Sequence, residues 1–97
     1  MKEIDDFPNY LIDENGNIFS IKSKKLISTF IDGTHNVKKV TLFKDGKEYK
    51  KLIHHLVAIA YIPKTGTIVI HKDGNKLNNN CANLEWSKRK LKNNENN

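Results

Sequence analysis

The chain has 97 residues, a formal net charge of +6 and 37% hydrophobic residues, which suits one small domain, or two very small modules sharing a core, and excludes a large buried interior. A single cysteine, Cys81, excludes an internal disulfide framework and any site built on two thiolates. No apolar run approaches the ~20 residues of a membrane span, and MKEIDDF lacks the basic-then-apolar order of a secretory signal, so a cytoplasmic protein with no membrane partner is expected.

The charge is unevenly spread. Residues 1–21 carry Lys2 against Glu3, Asp5, Asp6, Asp13 and Glu14, a net of −4, and the rest of the chain carries +10. A polyanion would therefore meet residues downstream of 21. Lysine is also a common solubilising residue, so charge alone leaves nucleic-acid binding and plain solvation both open.

Three turn signals punctuate the first half: Asn15-Gly16, Asp32-Gly33 and Asp45-Gly46. Each dipeptide tolerates the positive φ of a tight hairpin. They separate the apolar runs Tyr10–Ile12, Ile18–Ile21, Leu26–Ile31 and Val37–Phe43 and the segment Lys47–Lys50, which predicts a small twisted antiparallel sheet with one buried face. From Leu52 the period changes: Leu52, Leu56, Ile59 and Ala60 recur at helical spacing, predicting a helix that ends before Pro63. A short β-branched strand, Thr67–Ile70, runs into His71. A loop rich in Asn and Gly follows, then a strand at Leu84–Trp86, then a last helix from Lys88 to about Asn94 with Ser87 as N-cap.

The residues of the second half carry a resemblance. Ile70-His71-Lys72-Asp73-Gly74-Asn75-Lys76-Leu77-Asn78-Asn79, followed by Asn83-Leu84-Glu85-Trp86, resembles the motif of phage and intron-encoded HNH (His-Me finger) homing endonucleases. Ile53–Ala58 with Tyr61-Ile62-Pro63 resembles the segment that precedes it in that family, and Phe7–Ile21 looks like the nuclease-associated N-terminal module. The implied architecture is α+β: an N-terminal antiparallel β module (1–51), then a connecting helix and a C-terminal ββα finger (52–97). The implied activity is cleavage of DNA phosphodiester bonds, with one divalent ion, Mg²⁺ or Mn²⁺.

The chemistry of such a site is general. Hydrolysis of a phosphodiester needs an activated water and a cation to offset charge on phosphate and leaving oxygen. A histidine at a strand end is a suitable base, because its ordinary pKa lies near neutrality. A nearby asparagine can hold the imidazole in one tautomer without adding charge. By the resemblance, His71 is the general base and Asn83 orients it; Asn93 is the candidate metal ligand, provided that the last helix starts one residue later than its motif spacing sets. Two positions depart from the family. The residue before the histidine, usually Asp or Asn, is Ile70, which has no donor atom. The third motif position falls on Lys92, a cation, with Asn93 one residue on.

For phosphate contacts the candidates are Lys72, Lys76, Lys88, Arg89, Lys92 and His55. Simple solvation is an equal reading for Lys72 and Lys76. His54 and His55 point about 100° apart on a helix and cannot chelate one ion, so one is expected to pack against the sheet and the other to face outward. Trp86 is expected to plug the small core rather than stack on a base. Asp73-Gly74-Asn75 reads as a turn held by its own aspartate. Two rivals stand beside the nuclease: a non-cleaving nucleic-acid-binding relative, favoured by Ile70 and Lys92, and a phage-type inhibitor of a host nuclease or defence protein.

Overall fold

The computed structural model describes residues 1–88. Strands β1 (Lys2–Ile4), β2 (Phe7–Ile12), β3 (Ile18–Ser20) and β4 (Lys25–Ile27) form one antiparallel sheet in chain order. Strands β5 (Phe30–Asp32), β6 (Val37–Lys44) and β7 (Lys47–Leu52) form a second. Helix α1 (Ile53–Tyr61) follows β7 without a loop. The hairpin of β8 (Ile68–His71) and β9 (Leu84–Ser87) closes the described chain. The α+β class expected from the sequence is the one observed.

Alternation decides which face is buried. Tyr10 and Ile12 of β2, Ile18 of β3, and Val40 and Leu42 of β6 are two residues apart where they share a strand, so each pair enters the core from one face. Ile53, Leu56 and Val57 bring the apolar stripe of α1 onto them, and Leu84 joins from β9. Full burial of each such side chain contributes about 1.5–3 kcal/mol. One cluster thus draws on both halves of the chain. Two part-buried tyrosine hydroxyls reinforce it. The Tyr10 hydroxyl accepts from the Phe43 backbone N–H (3.1 Å) and joins the two sheets. The Tyr61 hydroxyl donates to the Ile12 carbonyl (2.7 Å), tying α1 to β2.

Three local expectations change. Leu26–Ile31 is two strands: β4 pairs with β3, and after Ser28-Thr29 the chain pairs with β6 as β5, so there are two sheets rather than one. The Asp32-Gly33 turn is a four-residue loop in which Asn36, not Gly33, takes positive φ (55°); the Asp32 carboxylate accepts from Thr34 N–H and its carbonyl from Asn36 N–H. On α1 the buried residues are Ile53, Leu56, Val57 and Ala58, and Ile59 faces outward, 42% exposed. Asp45-Gly46 is the tight turn expected, with φ of 53° and 77° between the paired Lys44 and Lys47.

Gly16 is required where it stands. Its φ is +88°, and a Cβ there would lie 2.5 Å from Ile53 Cγ2. The β2–β3 loop can therefore press against the start of α1. Cys81 N–H donates to the Glu14 carbonyl (2.8 Å), so the same loop also holds the segment before β9.

Candidate active site

The β8–β9 hairpin carries His71 at the end of its first strand. Val69 and His71 are half-buried, while Ile68 and Ile70 face solvent. Pairing fixes the register: Ile70 opposes Glu85 and His71 opposes Leu84. Leu84 is 2% exposed and anchors that end. Trp86 anchors the other, donating from Nε1 to the Ile62 carbonyl (3.1 Å), so it is a core plug as expected.

The loop after His71 is organised around Asp73. Its Oδ1 accepts from Asn75 N–H (2.8 Å) and Asn83 Nδ2 (2.9 Å), and its Oδ2 from Asn78 Nδ2 (3.0 Å). These bonds, led by the Asn75 amide, hold the carboxyl below the usual carboxylate range. Asn83 also donates to the Asn78 carbonyl (2.9 Å) and accepts from Asp73 N–H (3.2 Å). Asn83 therefore braces the loop and forms no hydrogen bond to His71.

The imidazole partner is Asn79. His71 Nε2 lies 2.8 Å from Asn79 Oδ1. An amide oxygen only accepts, so Nε2 carries the proton and the lone pair of the neutral ring is on Nδ1. Asn79 is 4% exposed. Of the five asparagines between His71 and Leu84, Asn79 is the one whose side chain meets the ring, where the sequence pointed to Asn83; nothing in the sequence separates the five.

His54, the second residue of α1, was also missed. Its ring meets that of His71 edge to face, centroids 4.8 Å apart. Burial, then the charges of His71 and His55, lowers its pKa to about 4, so it is neutral at pH 7. His55 is exposed, with its ring edge-on to Trp86 (5.7 Å). Partial burial, then Lys64 and Lys51, lowers its pKa as well. Lys64 lies over the Trp86 ring (5.4 Å).

Of the other expected contacts, Lys72 and Lys88 are exposed, and Lys76 donates from Nζ to the His35 carbonyl (3.4 Å). Arg89, Lys92 and Asn93, with the last helix, lie outside the described residues.

Residues 51–94 match the family model described as HNH endonuclease. The chain carries an HNH endonuclease domain. It is 41% identical over 87 residues to DNA endonuclease I-HmuI of Bacillus phage SP01, covering 86% of this chain and 48% of that protein. It is 36% identical to the H-N-H endonuclease F-TflII of Escherichia phage T5, covering 86% of this chain and 45% of that protein. A solved structure, titled as DNA binding and cleavage by the HNH homing endonuclease I-HmuI, superposes with a TM-score of 0.81 at 37% identity, over 89% of this chain and 51% of that one. The chain thus spans about half the length of these relatives.

HNH endonucleases are generally dependent on a divalent metal. The described part of this HNH domain does not furnish such a site by itself. No group of three His, Cys, Asp or Glu side chains among the described residues could hold an ion. Ile70 offers no donor, and His71 Nε2 is engaged by Asn79. No described helix is long and apolar enough to cross a membrane.

Proposed function

We propose that this chain is the DNA-cleaving part of an HNH endonuclease, with His71 as general base. The observation that carries this reading is the 2.8 Å contact between His71 Nε2 and Asn79 Oδ1, which leaves Nδ1 as the basic atom of a half-buried ring. A water beside Nδ1 would give its proton there as its oxygen bonds to phosphorus. The bridging P–O bond then breaks, and the leaving oxygen takes a proton from solvent. DNA is the partner that the basic remainder of the chain suits: Lys72, Lys88 and the exposed His55 surround the hairpin, and such contacts supply affinity and salt dependence rather than sequence choice. The ion proposed for the full activity is Mg²⁺ or Mn²⁺.

A second reading, DNA binding without turnover, is favoured by one observation: Ile70 stands, 40% exposed, where the family usually has Asp or Asn.

The test is nicking of supercoiled plasmid at low salt with Mg²⁺ or Mn²⁺, comparing the wild type, His71→Ala and an EDTA control, with gel shifts on the same samples. Relaxation abolished in both controls supports the nuclease. Shifted but uncut DNA supports the binding module. DNA neither cut nor shifted overturns both.

A further inference from the structure

His71 is gripped from two sides by elements far apart in sequence. From the loop, Asn79 Oδ1 takes its Nε2 proton. From α1, the ring of His54 stands edge to face against it, with centroids 4.8 Å apart and planes inclined at 63°.

Both supports are built in. Ile53, next to His54, is 1% exposed and pinned by the side-chain-free Gly16. A Cβ on Gly16 would also come within 3.8 Å of Asn79 Cβ, so the β2–β3 loop backs the helix start and the amide together. Two buried polar atoms, His54 Nδ1 and Asn79 Nδ2, have no hydrogen-bond partner among the described residues. Buried polar atoms left in that state are costly and rare in folded proteins. A phenylalanine at position 54 would present an aromatic wall without an orphaned nitrogen, and a leucine would fill the volume without a ring.

We propose that His54 is a positioning residue for His71: a neutral aromatic wall that, with Asn79, fixes the plane and tautomer of the imidazole so that its Nδ1 lone pair points in one direction. The role assigned to that lone pair rests on the reading of His71 as general base. The geometric grip itself does not.

The neutrality of His54 serves the same end. The titratable groups acting on it are His71 from β8 and His55 on its own helix, both cationic when protonated, and burial works in the same direction. A charged imidazolium in this place would set a second cation 4.8 Å from a protonated His71. With its pKa near 4, His54 is uncharged at pH 7, so a proton taken up by His71 has no second charge beside it from this ring.

The test is side-chain ¹⁵N NMR of the histidines in the wild type, His54→Phe, His54→Leu and His54→Ala, near neutral pH and without DNA. In the wild type, His71 is expected as a single Nε2–H tautomer, with widely separated nitrogen resonances. His54→Phe, which keeps the aromatic wall, should preserve that signature. His54→Leu and His54→Ala should let the two resonances move toward an average. Where plasmid nicking is measurable, those two variants should lose on the order of 10²-fold in turnover, the scale of a displaced reacting group. Their gel shifts should be unchanged, and His54→Phe should retain turnover within a few-fold.

If His54→Ala fails to fold, His54→Leu fills the same volume and reads the same quantity. A single His71 tautomer in both His54→Leu and His54→Ala, or averaged resonances in the wild type, overturns the proposal. A wild type that holds one tautomer but cuts no DNA removes the nuclease reading and leaves the NMR comparison to decide the role of His54.

Discussion

Asn83 and Asp73 clasp each other across ten residues of loop: the Asn83 amide donates to Asp73 Oδ1 at 2.9 Å, and its oxygen accepts from the Asp73 backbone N–H at 3.2 Å. A third bond, from Asn83 Nδ2 to the Asn78 carbonyl, draws the loop over toward Asn79. The residue that meets His71 is therefore delivered by a residue that does not. Two asparagines divide the work: Asn83 sets the loop and Asn79 sets the ring.

Replacing Asn83 should act at a distance. Asn83→Ala removes three hydrogen bonds from a partly exposed site and is expected to cost about 1–2 kcal/mol in chemical denaturation. Nicking should fall with DNA affinity kept. Asn83→Asp sets a second carboxylate against Asp73 and should destabilise more than Asn83→Ala at pH 7, the difference shrinking in acid. Equal stability of the two variants at pH 7 would show that the clasp is not electrostatic in the way the geometry implies. The Asp73 carboxyl is itself held low. Its contribution is present in full above the ordinary value of 3.8 and is lost as pH falls through the lowered one.

Asn79 separates orientation from charge. Asn79→Ala deletes the acceptor for Nε2–H and should lower kcat on the order of 10²-fold with little change in KM. Asn79→Asp keeps an oxygen in place and should preserve the tautomer while making the His71 ring more basic, which would move the pH–rate profile upward. A profile unmoved by Asn79→Asp would mean that the 2.8 Å contact is not kept during turnover.

The sequence made some of these relationships legible and hid others for physical reasons. Asp45-Gly46 was readable because positive φ at two consecutive residues admits few side chains. His71 at a strand end and Trp86 as a plug were readable because strand alternation and ring size leave little choice. The break at Ser28-Thr29 was not, since both residues suit an extended chain whether or not it changes sheets. Nor was the choice of Asn79 over Asn83: five asparagines in one loop offer the same chemistry, and the fold of the loop alone decides which is buried. The pair His54-His55 was readable only as one inward and one outward; that the inward ring meets His71 depends on the packing of α1 on β8.

His54 should leave a mark on acid stability. Its pKa is lowered from 6.5 to about 4 by burial, then by His71 and His55. Between those values the unfolded chain binds a proton that the folded chain refuses, so stability rises with pH across the window and is lost on acidification from 6.5 toward 4. Solvent reaching the half-buried ring limits the effect to about 1–2 kcal/mol. His54→Phe should flatten the pH dependence of the denaturation midpoint within this window while leaving it intact below pH 4. An unchanged slope would assign the acid sensitivity to other groups.

The hairpin bearing His71 depends on a close backbone approach at Gly66. A Cβ there would stand 2.4 Å from the Ser87 carbonyl oxygen, where Thr67 N–H donates at 3.0 Å. The clash is with backbone, which cannot swing aside. Gly66→Ala should therefore destabilise by about 1–3 kcal/mol and weaken amide-exchange protection in β8 and β9 before the two sheets are affected. Uniform loss of protection over the whole chain would show that the hairpin does not open as its own unit.

Position 70 offers no donor atom to a cation. Ile70 faces solvent and opposes Glu85 across the hairpin, so Ile70→Asp would place a second carboxylate on the same face, directly across from the first. Two carboxylates at cross-strand distance repel each other and attract a hard cation that takes oxygen ligands. Because the replaced side chain is largely exposed, the stability cost without metal should be small, within about 1 kcal/mol. Ile70→Asp combined with Lys92→Asn should raise Mg²⁺- or Mn²⁺-dependent nicking well above the wild type, and adding the metal should raise the denaturation midpoint of the double variant more than that of the wild type. A rise in midpoint without a rise in nicking would mean that the ion binds but that turnover is limited elsewhere. No response in either measurement would show that position 70 is not what restrains this domain.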